Sequence, residues 1–227
     1  MLIVAPLSFF GNWLIYKALL RPLVQRAKNQ GQLEVDSILA TFGMSFALVG
    51  IMVSFHGEYF TYSYLAEPFE IVGETFALNR IVAFCFAVLI GAILWLWLYF
   101  TRPGMAMRAV SVSTEASGLV GINVPKMSAL AFALGGAVTT MGGTLISTFI
   151  TLDASVGVIF TMKALIIIIM GGVGDIRGAI VAALILGLVE TTVARLIDPG
   201  LTLAAAYAIF VLVLLFRPQG LFGRKPT

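Results

Sequence analysis

Seven stretches of this chain, at about residues 1–20, 37–55, 81–100, 127–150, 158–170, 178–193 and 201–216, are apolar almost without interruption. A transmembrane helix needs roughly 20 apolar residues, whereas a barrel strand needs about ten in strict alternation. These runs are long and do not alternate, so the fold they predict is all-α. It is a polytopic integral membrane helical bundle with about seven spans, in a single transmembrane domain over residues 1–227. The fifth and sixth runs are shorter than a bilayer expects, which predicts tilting or a break around Gly171–Gly174.

Composition excludes the soluble alternative. Hydrophobic residues make up 60% of the chain and charged residues 11%, and the mean hydropathy is +1.03. Soluble domains carry roughly a quarter charged residues. A net charge of +3 would suit a nucleic-acid partner in a soluble protein, but here the Lys and Arg residues lie at the ends of the apolar runs. They set orientation, and no nucleic-acid partner is expected. Cys85, the one cysteine, lies inside an apolar run, which excludes an intrachain disulfide and a thiol metal site. The opening MLIVAPLSFFGNWLIYKALL has no basic region ahead of its apolar stretch, so it is expected to span the membrane and not to be cleaved.

The connections alternate in charge. Arg21, Arg26 and Lys28 follow the first run, Glu58, Glu67, Glu70 and Glu74 with Arg80 follow the second, and Arg102, Arg108 and Lys126 follow the third. Asp153 lies in the fourth connection, Arg177 in the fifth, Arg195 and Asp198 in the sixth, and Arg217, Arg224 and Lys225 in the tail. Short loops rich in Lys and Arg stay in the cytoplasm, so the N-terminus is expected outside and the C-terminus inside. The outer loop at about 54–80 holds Phe55, Tyr59, Phe60, Tyr62, Tyr64 and Phe69, which are expected to anchor at headgroup depth. His56 is the only histidine, and without a second ligand nearby no metal site is expected.

Inside the runs, Ala131, Gly135, Thr139, Gly143 and Ser147 recur every four residues, as do Ala179, Ala183, Gly187 and Thr191. Such stripes let another helix approach closely, and they predict that both helices lie in the bundle interior. Between the short runs, GGVGDIRG places four glycines, an Asp and an Arg together. This turn must be buried against protein or line a water-filled path, which makes Gly171, Gly172 and Gly174 candidates for a translocation path. It lacks the spacing of a phosphate loop. Lys163 and Glu190 are the ionisable residues deepest in apolar runs; both are expected near the outer leaflet, where they can pair. No catalytic constellation, metal-binding motif or internal repeat is found, so no enzymatic activity and no cofactor are expected.

The polar interruption from Arg102 to Lys126, RPGMAMRAVSVSTEASGLVGINVPK, has a helical pattern. Read as one helix from Met105, it places Met105, Ala109, Val112, Ala116 and Leu119 on one stripe and Arg108, Ser111, Glu115 and Gly118 on another. One face is expected to lie on the membrane protein and the other to face water or a partner.

Glu115-Ala116-Ser117-x-x-x-Gly121 resembles the EAA-x-x-x-G core of the cytoplasmic coupling loop in permeases of ABC importers. The blocks TRPGMAMRAVSVSTEASGLVGINVPK, LAFALGGAV, MKALIIIIMGGVGDIRGAIVAALILGLVE and LLFRPQGLFG, in that order, look like the LivH-type permease of branched-chain amino acid ABC transporters. The resemblance implies an inner-membrane permease subunit, with residues 102–126 as its coupling loop. It implies no ATPase of its own and four partners: a second, LivM-type permease, two cytoplasmic ATPases that bind the ATP, and an external solute-binding protein. Arg108, Glu115, Ala116, Ser117 and Gly121 would form the docking segment, with Gly121 ending its helix. Lys163 and Glu190 would attract the carboxylate and the ammonium of an amino acid.

Ser117 stands where the general pattern has Ala, a small-for-small change. LivH-type proteins carry further N-terminal spans, including a segment resembling N-x-A-H-G, and this chain starts after them, as expected of a late-assigned start or a truncation. A urea or amide permease would share the same motifs. A stand-alone channel or secondary transporter is the alternative from another class, and a non-transporting remnant is a third.

Overall fold

The computed structural model describes residues 3–26, 29–57, 59–60, 68–71, 74–153, 156–172 and 174–222. Glu58, Glu67, Tyr62, Tyr64, Lys28, Arg224 and Lys225 lie outside them. The chain is an α-helical, multi-pass membrane protein: each apolar run forms a helix over most of its described residues, the fourth ending at Ile146 before a turn at 147–150. Among the described residues five helices are long and apolar enough to cross a membrane, and Val156–Gly171 is apolar but shorter. Two compact units divide the chain, residues 1–154 and 155–227.

In the first unit, α1 (Val4–Ile15) continues through a π-helical stretch, Tyr16–Leu20, into α2 (Arg21–Arg26). Then come α3 (Gln30–His56), α4 (Leu78–Phe100), α5 (Arg102–Val112), α6 (Thr114–Leu119) and α7 (Val124–Ile146). The connection after α3 adds small antiparallel sheets to the otherwise helical fold. In one, β1 (Tyr59–Phe60) pairs with β4 (Leu152–Asp153); in the other, β2 (Pro68–Ile71) pairs with β3 (Glu74–Ala77).

The main helix contact of this unit is α1 against α7, and it is made by small and polar residues. The Ser8 hydroxyl donates to the Gly136 carbonyl at 3.3 Å and shares a hydrogen bond with Thr140 Oγ1 at 2.6 Å. Asn12 lies directly against Gly136, where a Cβ would collide with its amide. The buried positions of α7 are Ala129, Ala133, Ala137 and Leu145. The expected stripe of Ala131, Gly135, Thr139 and Gly143 is instead exposed. Both sets recur every four residues, but they start two residues apart, about 200° around a helix. Periodicity alone cannot choose between them.

The second unit is a three-helix assembly of α8 (Val156–Gly171), α9 (Ile176–Leu196) and α10 (Thr202–Phe216), with a 3₁₀ turn at Pro199–Leu201 before α10. Its core is Ile166, Met170, Ala182, Leu186 and Ala206, with Ile209, Phe210 and Val213 packed around it. The sixth apolar run is not short: flanking residues extend it to a helix of 21 residues, whereas α8 has 16. The break expected between them is a sharp turn. Gly172 and Gly174 take φ of +101° and +90°, which favour glycine, and Asp175 caps α9 by accepting from the amides of Arg177 (2.8 Å) and Gly178 (3.4 Å).

On α9 the buried small residues are Gly178 and Ala182, one position away from the expected stripe. Ala183, Gly187 and Thr191 are exposed. Gly171 and Gly178 bring α8 and α9 into backbone contact, and a Cβ on Gly171 would lie 2.5 Å from the carbonyl carbon of Gly178. Gly178→Val is therefore expected to destabilise this hairpin by about 2 kcal/mol or more, the scale of overpacking. Gly187→Ala, at a position with open space, should be neutral. Thermal unfolding of both variants in one detergent checks the contrast, and equal midpoints would contradict the packing described.

Candidate functional site

The polar interruption is built on a corner. Thr101 is extended and serves as N-cap of α5: its hydroxyl donates to Trp97 O at 2.7 Å and accepts from the Gly104 amide at 3.2 Å, with Pro103 in the first turn. Gly104 is buried against α4, and a Cβ there would come within 2.6 Å of Leu98 Cα. Arg108 closes the corner. Its guanidinium lies 4.1 Å above the ring centroid of Tyr99, and its Nε donates to Leu98 O at 3.2 Å. Half-buried and bound to α4, Arg108 serves the fold of its own chain, although sequence spacing groups it with Glu115 on a free polar face.

The single helix expected from Met105 is two helices. Ser113 is extended (φ −152°, ψ 111°) and caps α6, its Oγ accepting from the Ala116 amide at 3.2 Å. The Ser-Thr-Glu sequence makes this break favourable, since a serine hydroxyl at an N-cap satisfies a helix-end amide and Glu115 lies in the positive first turn of α6. The break turns the predicted stripe around. Val112 is 84% exposed and Leu119 89%, so they do not lie on the protein, whereas Ser117 is 3% exposed. Glu115 and Ala116 are exposed beside them. Gly121 takes φ +82° and ends the helix: its amide donates to Gly118 O (3.1 Å) and that of Ile122 to Ser117 O (3.1 Å), the paired bonds of a glycine C-cap. The outcome is a short, capped, largely apolar knob, Val112 to Val120, with one carboxylate.

In the second unit, Lys163 Nζ and Glu190 Oε2 form an ion pair at 2.8 Å, with side chains 23% and 19% exposed. Lys163 is the eighth of the 16 residues of α8, so the pair lies midway along that helix and not near its end. Glu190 Oε1 is buried and accepts no hydrogen bond. The charges hold each other, but half of the carboxylate's acceptor capacity is unused.

The glycine turn stands apart from this pair, at the end of the α8–α9 hairpin. Gly171 and Gly172 are buried within their own unit. The segment after α10 folds over them: the amide of Leu221 donates to Met170 O at 2.8 Å and that of Phe222 to Gly171 O at 3.1 Å. Gly220, at φ +80°, approaches Gly172 so closely that a Cβ would lie 2.6 Å from its amide nitrogen. Sequence reasoning missed this clasp. Its only signal was the turn-forming Pro218-Gln219-Gly220 after the last apolar run.

A family model described as "Branched-chain amino acid transport system / permease component" matches residues 27–216. The chain is 32% identical over 132 residues to the high-affinity branched-chain amino acid transport system permease protein LivH of Escherichia coli K12, covering 58% of this chain and 43% of that protein. It is 30% identical over 153 residues to the corresponding protein BraD of Pseudomonas aeruginosa, covering 67% and 50%. A more distant similarity, 26% over 202 residues, links it to the ribose import permease protein RbsC of Haemophilus influenzae, covering 85% and 62%. The chain thus spans about half the length of the first curated relatives it matches. No solved structure matches it.

Arg108→Ala should loosen the α4–α5 corner by about 1–2 kcal/mol, from one cation–π contact and one charged hydrogen bond. Glu115→Ala, on an exposed turn, should change stability by less than about 0.5 kcal/mol. Thermal unfolding separates the two, and comparable losses would contradict the roles given to these side chains.

Proposed function

The chain belongs to the permease family of branched-chain amino acid transport systems, and from that premise we propose that it contributes to the transmembrane path of an ABC importer for branched-chain amino acids in the inner membrane. The observation that carries the reading is the family match over residues 27–216, to which the LivH and BraD similarities add the same substrate class. In this proposal the energy comes from two ATPases on separate chains, the substrate from an external solute-binding protein, and the rest of the path from a second permease of the LivM type.

The knob at residues 112–120 is the proposed contact for an ATPase. Force from a closing ATPase dimer must reach the membrane helices through a segment that is both exposed and rigidly held. The exposed Val112, Glu115, Ala116 and Leu119 meet the first need, and the Ser113 cap, the buried Ser117 and the Gly121 cap meet the second. In this reading Arg108 positions the segment and does not touch the partner.

Lys163 and Glu190 are the proposed polar contact for substrate. An amino acid is a zwitterion, and a paired cation and anion within an apolar bundle offer each of its charges a partner without net charge transfer into lipid. Glu190 Oε1, unpartnered and buried, is where an ammonium would add a hydrogen bond. The glycine turn is proposed to hold the hairpin that carries the pair, through Gly171, Gly172 and Gly174.

Co-expressed with its partner subunits, Glu190→Gln is expected to lower branched-chain amino acid uptake at least about tenfold, the value of one charge-assisted hydrogen bond, and Lys163→Met similarly. Unchanged uptake in both single variants would remove the pair from the substrate path. Glu115→Lys with Gly121→Trp should abolish co-purification of the tagged chain with the ATPases, and flux that persists without any ATPase would favour a channel or secondary transporter.

A further inference from the structure

The basic end of the first unit contains a cavity that the transport reading does not use. It measures about 260 Å³ and lies where the π-helical continuation of α1 meets the N-terminus of α7. Lys17, Arg21 and Lys126 line it, with Trp13 and Tyr16 beside them. Trp13, Lys17 and Arg21 follow one another at intervals of four residues, and Lys17 Nζ lies 5.1 Å from the Trp13 ring centroid. Among the described residues no carboxylate lies within 4 Å of any of the three cations. The N-terminus of α7, capped by Asn123 Oδ1 accepting from the Lys126 amide at 3.1 Å, adds positive helix-end potential.

A second, apolar cleft of about 350 Å³ adjoins this cavity through the shared Tyr16. Met107 and Val110 of α5 form one wall, and Met127 and Phe132 of α7 form the other. Tyr16 is held between the two spaces by its ring contact with Phe132, at 5.9 Å between centroids. The π-helical turn that begins at Tyr16 closes with the Arg21 amide bonding to Tyr16 O, and it brings the ring and both cations to one place. Wide turns of this kind recur at functional sites in helices.

We propose that the two spaces together form a binding site for one anionic phospholipid. Its phosphate is held by Lys17, Arg21 and Lys126, and an acyl chain lies in the cleft against α5. The chemistry favours this occupant over others. Three cations without a counter-ion attract phosphate, and they repel the choline or ammonium of a zwitterionic headgroup, so a net-anionic lipid is selected. Trp13 and Tyr16 are the residue types that settle at headgroup depth. A free phosphate would leave the apolar cleft empty. Because α5 leads directly into the segment 112–120, a lipid wedged between α5 and α7 would stiffen the base of that segment and make its coupling sensitive to membrane charge.

The test uses the full chain with Trp95→Phe and Trp97→Phe, leaving Trp13 as the sole tryptophan, in bilayers of phosphatidylcholine with increasing phosphatidylglycerol. Brominated acyl chains on one lipid or the other report the occupant by quenching Trp13. Brominated phosphatidylglycerol is expected to associate at least about tenfold more strongly than brominated phosphatidylcholine, given about fivefold for each cation. The triple variant Lys17→Gln, Arg21→Gln, Lys126→Gln should lose that preference, and Lys17→Arg should keep it. Equal quenching by both lipids would overturn the proposal, leaving ordinary annular contact. Release by millimolar inorganic phosphate would overturn it in favour of a free anion, and release on adding the partner ATPases would overturn it in favour of a protein surface. Mass spectrometry of lipids retained by the unaltered chain gives an independent reading: retention of phosphatidylglycerol over phosphatidylcholine supports the site, and no enrichment contradicts it.

Discussion

In a chain this apolar, every backbone amide and carbonyl removed from water must find its partner within the protein, and helix ends are where that requirement is hardest to meet. The structure meets it locally and repeatedly. Thr101, Ser113, Asn123 and Asp175 each cap the helix that follows with a side-chain oxygen. Gly121 closes α6 in the opposite sense, and the segment at Gly220–Phe222 supplies amides to the last carbonyls of α8. These caps fix where each helix starts and stops, and so which side chains face one another. The Lys163–Glu190 pair depends on this: the Gly171–Gly178 contact sets how deeply α8 and α9 overlap, and the clasp over Gly171 and Gly172 keeps the turn from opening.

The capping rule also explains why residues 102–119 form two helices and not one. A continuous helix would have placed Met105, Val112 and Leu119 on one inward stripe. Ser113 costs little as a cap, and the hydroxyl it spends on the Ala116 amide is worth about 1 kcal/mol. The bend that follows presents Val112 and Leu119 outward on either side of the cap and turns Ser117 inward. A surface of exposed apolar side chains around one carboxylate suits a partner groove better than it suits water.

Sequence carried the helices because their signal is length and composition, which the membrane imposes directly. It did not carry the faces. On α7 and α9 small residues recur every four positions on more than one side, so spacing identified helices suited to close packing without saying which side is packed. Ala133 and Ala182 are buried, while Gly135 and Gly187 are open. Nor did it carry Arg108, whose partners are the ring of Tyr99 and the carbonyl of Leu98, the second of which has no side-chain signature. The clasp was illegible for the same reason: its bonds run between main-chain groups some fifty residues apart. The glycines were legible as necessary, but their necessity proved to be mutual contact, with Gly171 against Gly178 and Gly172 against Gly220.

The Lys163–Glu190 pair leaves one oxygen of a charged group unsatisfied. Asn79 Oδ1 in the first unit is also buried without a hydrogen bond, but it is neutral; Glu190 Oε1 is buried, belongs to a carboxylate and accepts nothing. An ion pair kept only for stability would gain from a second donor at that oxygen, since an unmet acceptor in a poorly solvated place costs about 1–3 kcal/mol. Thr191 and Thr192 sit immediately beside it in sequence, yet their hydroxyls bond to the Gly187 and Leu188 carbonyls of their own helix, at 2.7 Å each. The nearest side-chain donors in sequence are thus committed to their own backbone. A carboxylate held by a lysine on one oxygen and left open on the other is an arrangement suited to receiving a cation in passing, because accepting one adds a bond without first breaking the pair that keeps the helices together.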